Sequence, residues 1–155
     1  MQALKLNIEL VPKTSWYSNL RNKVSKQNWN EVRKETYAAF DYKCGICGSS
    51  EGQLECHETW EYDDTRHVQT LKGFIALCKM CHHVKHIGLA GIKAKRGELD
   101  FDAVIEHFIK INDCDITAYD DHYDAAFKAW RKRSSHEWKI SLEKYSSIVR
   151  IKKIK

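Results

Sequence analysis

Four cysteines stand in two short pairs, Cys44-Gly45-Ile46-Cys47 and Cys78-Lys79-Met80-Cys81, with thirty residues between the pairs. A Cys-x-x-Cys turn brings two thiolates to one point, and two such turns supply the sulfurs of a closed tetrahedral zinc site. Gly45 and Gly48 suit the tight turn of the first pair. Four unrelated buried thiols would leave the repeated spacing unexplained. Such a site does not preform in an unfolded chain, so its metal is expected to contribute folding energy directly. The second pair is expected to open a helix. The order knuckle, hairpin, knuckle, helix is treble-clef-like.

The paired cysteines bracket a second set of residues able to bind metal or move protons. Between them runs Leu54-Glu55-Cys56-His57-Glu58, and directly after them His82-His83-Val84-Lys85-His86. On a helix, His82 and His86 fall on one face, four residues apart, while His83 points about 100° away and is expected to be exposed. Two same-face imidazoles and the Cys56 thiolate from a facing strand would give a metal three protein ligands and leave a position open, as catalytic sites do. On that strand His57 alternates away from Cys56, which suits it to act as a general base on water. Cys114 is read as a bystander.

The elements that must hold these groups can be read from periodicity. Leu4, Leu6, Ile8 and Leu10 alternate with polar residues, which predicts a strand stopped by Pro12. A short helix is expected over Trp16–Lys23. Ser25 is placed to cap a longer one whose stripe is Trp29, Val32, Arg33, Thr36, Tyr37 and Phe40, running out at Asp41-Tyr42-Lys43. Gln53–Tyr62 and Val68–Leu77 read as a hairpin turning at Asp63-Asp64, with a helix start over His82–Ile87 after it. Asp100 caps a helix to Ile111, and a longer helix fits Ile116–Arg133, with Tyr119, Tyr123, Phe127 and Trp130 as its core face. Trp138, Ile140 and Leu142 alternate as a late strand able to pair with the N-terminal one.

Bulk properties set the frame. At 155 residues and 43% hydrophobic, the chain suits a single α+β domain, with the metal-bound part at 44–88, a strand and helices at 1–43, and a helical extension at 89–155. No apolar run reaches the ~20 residues of a membrane span and the first ten residues do not resemble a signal peptide, so a cytoplasmic setting is expected, where thiols stay reduced or hold metal. Residues 128–155 carry ten Lys and Arg against two Glu, a net of +8 in a chain of net +5, leaving −3 for the rest. This basic end, with Arg131, Lys132, Arg133, Lys152 and Lys153, points to an anionic partner.

Read together, Cys44-Gly45-Ile46-Cys47, Leu54-Glu55-Cys56-His57-Glu58 and Ala76-Leu77-Cys78-Lys79-Met80-Cys81-His82-His83-Val84-Lys85-His86 resemble the HNH endonucleases of the His-Me finger, or ββα-metal, superfamily. The resemblance covers roughly residues 44–88. It implies a zinc-stapled ββα-metal core in which His57 activates water, His82 and His86 hold the catalytic metal, and Lys85 is a candidate phosphate contact. It implies a structural Zn²⁺, a second divalent metal (Zn²⁺, Ni²⁺, Mn²⁺ or Mg²⁺), a DNA substrate with RNA as the other nucleic acid to consider, and a bacterial or phage-infected cell.

Two positions depart from the family pattern. Cys56 stands where Asp or His is usual; a thiolate suits Zn²⁺ better than Mg²⁺, and Glu58 is the neighbour able to replace it. Gly73 falls where an Asn orients the base, and Asp63 or Asp64 from the hairpin loop is the candidate substitute. The expected function is a metal-dependent endonuclease or nickase. The competing reading is a non-catalytic zinc module that binds nucleic acid or protein on the same scaffold.

Overall fold

The computed structural model describes residues 3–18 and 24–145. Among these it is a mixed α+β structure of five α-helices and one three-stranded sheet: α1 (Lys26–Ala39), β1 (Glu55–Asp63), β2 (Val68–Leu77), α2 (Lys79–Lys85), α3 (Ile87–Lys95), α4 (Phe101–Asn112), α5 (Ile116–Arg133) and β3 (Lys139–Ser141). β1 and β2 form an antiparallel hairpin in register from Glu55↔Leu77 to Asp63↔Val68, with a bulge between Thr59 and Trp60. At its tip the Asp63 carboxylate accepts from the Thr65 and Arg66 amides, the side-chain-to-backbone turn that Asp favours.

The helices begin where short polar side chains can take up orphan amides. The Ser25 hydroxyl accepts from Asn28 N, Asp100 from Asp102 N and Ala103 N, and Asp115 from Ala118 N. The cap of α2 is a cysteine. Cys78 Sγ accepts from Cys81 N at 3.4 Å, so one residue both starts the helix and enters the sulfur cluster.

The hairpin separates two apolar clusters. On one side Leu6, Ile8, Leu77, Val84, Ile87, Val104 and Phe108 pack with the cysteine cluster, and Tyr119, Tyr123 and Phe127 of α5 join them. On the other, Trp29 and Leu71 pack with Val24, Val32, Cys56, Trp60 and Phe74 beneath α1.

Three expectations are corrected. The N-terminal segment keeps its predicted alternation, with Leu6 and Ile8 buried, but forms no strand. Its backbone is satisfied by other groups. Lys5 N and Leu6 N donate to Asn112 Oδ1, Asn112 Nδ2 donates to Leu6 O, Ile8 N donates to His122 Nε2, and Glu9 N donates to Lys85 O. Consequently β3 does not pair with it; it adds in parallel to β2 at Val68–Thr70. The short helix expected over Trp16–Lys23 is met by a 3-10 helix at Lys13–Ser18, and residues 19–23 lie outside the described part.

Candidate metal centres

The two cysteine turns meet. One sulfur from each of Cys44, Cys47, Cys78 and Cys81 lies within 4.8 Å of all the others, an arrangement compatible with a zinc site. Cys47 Sγ and Cys78 Sγ are 3.6 Å apart, close to the roughly 3.8 Å edge of a tetrahedron with ~2.3 Å Zn–S bonds. Cys44 Sγ accepts from the amides of Ile46 and Cys47, which defines the first turn, and hydrogen bonds from Cys78 and Cys81 hold its thiol well below the ordinary range.

Gly45 ties this turn to the sheet, its amide donating to Ala76 O at 2.8 Å. A Cβ here would stand 2.8 Å from Ile75 Cγ1 and Phe40 Cε1, so the close approach requires glycine. The Cys81 sulfur also meets His107 Nε2 of α4 at 3.2 Å, a neighbour that no local motif announces.

A second group forms beside the hairpin. One ring nitrogen from each of His57, His82 and His86 lies within 4.8 Å of the other two. Their rings meet edge to face, with His57 centroids 5.3 Å from His82 and 5.0 Å from His86. β1 supplies the first, α2 and its C-cap the others. Two rings are backed by carboxylates: His82 Nδ1 donates to Glu55 Oε1 at 2.7 Å, and His57 Nε2 meets Glu9 Oε2 at 3.0 Å.

His57 is only 4% exposed, and its Nδ1 is buried with no hydrogen-bond partner. Burial lowers the His57 pKa against the opposing pull of Glu9, and it brings His86 down to about 3, helped by the neighbouring His57 and His82. Both rings are therefore neutral near pH 7, the form with a lone pair to offer.

The other site residues expected from sequence do not join the triad, although Cys56 and Glu58 line the same cleft. Cys56 is not in the group. Strand alternation turns it toward α1, where its thiol meets Thr36 Oγ1 at 3.8 Å and burial pushes its pKa up to about 11. A residue adjacent to a buried histidine on a flat strand must face the other way. Glu58 lines the same cleft as the histidines and accepts from Trp60 Nε1 at 3.2 Å.

Asp64 sits at the exposed hairpin tip, away from the histidines, and pairs through both oxygens with Arg133, at 2.8 Å to Nε and 3.0 Å to Nη2. Arg133 also lies over the Tyr62 ring, so it locks the end of α5 to the hairpin. Lys85, read as a phosphate contact, is 5% exposed; its ammonium donates to Asn7 Oδ1 at 2.6 Å and Glu9 Oε1 at 2.8 Å. His83 is half-buried rather than exposed. Arg131 and Lys132 are exposed at the end of α5, and Lys152 and Lys153 lie outside the described residues.

The histidines open onto a cleft of about 490 Å³ between the hairpin, the N-terminal segment and α5, with Trp29, Trp60, Tyr62, Leu89 and Trp130 among its walls. Sequence reasoning missed Glu9 from the N-terminal segment, as it missed Glu55 behind His82 and His107 beside Cys81. The one signal for Glu9 was an acidic residue on the polar side of an alternating stretch. Compared with family models, curated proteins and solved structures, the chain matches none. Among the described residues, no helix is long and apolar enough to cross a membrane.

Proposed function

We propose that this protein is a metal-dependent phosphodiesterase acting on DNA, an endonuclease or nickase of the ββα-metal type, with a structural zinc on Cys44, Cys47, Cys78 and Cys81 in a treble-clef-like core. The observation that carries the reading is the histidine triad, in which a buried strand histidine, His57, stands against two half-buried histidines of the helix and its C-cap, His82 and His86, lining a cleft. That is the hairpin-then-helix order of the family the sequence resembles.

The donor set fits a divalent cation. His82 is oriented by Glu55, and neutral imidazoles suit Zn²⁺ or Ni²⁺ better than Mg²⁺. A cation held by His82 and His86 would supply Lewis-acid stabilisation of charge on the phosphate and the leaving oxygen. His57, with Nε2 engaged by Glu9, offers Nδ1 to take a proton from the attacking water. The aromatic walls limit solvent around the reacting group. Arg131 and Lys132, exposed on the helix that forms one wall, approach the polyanion.

The test is incubation of the purified protein with plasmid DNA in Mg²⁺, Mn²⁺, Zn²⁺ or Ni²⁺, beside His57→Ala and His86→Ala. The parent is expected to nick or cut. His57→Ala should lose about 10²–10⁴-fold in rate while retaining two metals per chain. His86→Ala should lose the second metal and the activity together. DNA binding should weaken as salt rises. No cleavage with any of the four metals overturns the nuclease reading in favour of the zinc binding module. Loss of the second metal in His57→Ala reassigns His57 from base to ligand.

A further inference from the structure

Glu9 reaches the histidine cleft from outside the hairpin and helix that carry the histidines, and its place is set by three contacts. Its amide donates to Lys85 O at 3.1 Å, its Oε1 accepts from Lys85 Nζ at 2.8 Å, and its Oε2 meets His57 Nε2 at 3.0 Å. Lys85 is in turn held by Asn7 Oδ1. The ammonium of Lys85 on Oε1 favours the ionised form of the carboxyl, which can only accept. The Glu9 pKa is brought down to about 2, with burial opposing and the hydrogen bonds from His57 and Lys85 prevailing.

This has a consequence for the ring. An ionised carboxylate at 3.0 Å from Nε2 requires the proton on Nε2, because the other tautomer would set a lone pair against a negative oxygen. The neutral ring must then carry its free lone pair on Nδ1, and Nδ1 is the buried atom with no partner. The hairpin positions considered for this role are otherwise occupied or bare: Gly73, across the sheet from Thr59, has no side chain, Asp63 accepts from the Thr65 and Arg66 amides, and Asp64 is engaged by Arg133.

We infer that Glu9, clamped by Lys85, is the positioning residue for His57, fixing its Nε2–H tautomer so that the free lone pair stays on Nδ1. The inference gives the N-terminal segment a role in the site beyond packing. Its catalytic consequence rests on the proposed nuclease reading; the tautomer does not.

The test uses the full chain labelled with ¹⁵N-histidine, at neutral pH with its cysteine-site zinc retained. Long-range ¹H–¹⁵N correlation reads the tautomer, and the His57 signals are assigned by their loss in His57→Gln. The parent should show His57 protonated on Nε2. Glu9→Gln should shift the ring toward a mixture of tautomers and lower kcat by about 10- to 100-fold, with KM for DNA little changed. A parent ring protonated on Nδ1 overturns the inference whether or not any variant folds. So does a Glu9→Gln protein, folded by circular dichroism and carrying its zinc, whose tautomer is that of the parent. If the tautomer moves as expected while neither protein cuts DNA, the nuclease reading fails and the positioning role stands.

Discussion

The cysteine cluster and the histidine cluster sit on neighbouring parts of the same hairpin-and-helix unit, yet they are built in different ways. Each half of the cysteine cluster is a local turn. Cys44 collects the amides of Ile46 and Cys47, and Cys78 collects that of Cys81, so sequence neighbours set the sulfur geometry. The histidine cluster has no such local support. Its rings come from β1 and α2, and its orienting carboxylates from Glu55 and from Glu9, the latter 48 residues from the ring it holds. A site made of turns can be specified by a spacing; a site made of facing surfaces needs the fold first. The cysteine cluster is thus expected to carry stability and the histidine cluster chemistry.

The sharpest way to break that contrast is Cys47→Ser. If the cysteine site is coupled to folding, losing one thiolate should remove zinc and unfold the chain, since structural zinc binding in small domains is of order ~10 kcal/mol. The histidine site should vanish with it. Circular dichroism and metal analysis on the same sample check this. A folded, zinc-free variant with an intact second site would show that the two clusters are independent.

An intermediate effect is expected at Gly45. Alanine there forces a methyl to within 2.8 Å of Ile75 and Phe40, an overpacking cost of about 1–3 kcal/mol. The loss should appear as a lower thermal midpoint with zinc still bound. A midpoint equal to the parent's would mean that the first turn is not seated on the sheet as described.

The smallest effect belongs to Asp64. Its pair with Arg133 is well formed but more than half exposed on the Asp side, and exposed pairs contribute under ~1 kcal/mol. Asp64→Ala should therefore leave the thermal midpoint nearly unchanged and cleavage, where present, intact. A large loss of activity without loss of stability would restore Asp64 to the catalytic role that its position in the sequence suggested.

Much of this was legible beforehand, for identifiable reasons. β2 runs over Val68–Leu77 and α5 over Ile116–Arg133, the bounds that alternation and helical spacing indicated. Ser25 and Asp100 cap helices as read from the sequence, because a short acceptor before an apolar stripe needs no tertiary partner to act. The N-terminal segment shows the limit of the same signal. Period-2 burial reports which side chains face the core, and Leu6 and Ile8 do. It does not report what satisfies the backbone, and here Asn112, His122 and Lys85 O take the place of a neighbouring strand.

The sequence by itself determined that each Cys-x-x-Cys pair would gather two sulfurs on one turn and that His82 and His86 would share a helix face, because both follow from bond geometry at separations of three or four residues. Only the tertiary structure decided which neighbour on β1 would meet them. On sequence alone Cys56 reads as the ligand and His57 as the base, and one residue of register exchanges which of them faces α2. Packing of Trp29 and Leu71 on the α1 side drew Cys56 inward there and left His57 to face α2. The same holds for charge. Lys85 and Glu9 are ordinary surface residues by type, and they became a clamp, with Lys85 buried, because the N-terminal segment crosses the end of α2, a contact that no local pattern encodes.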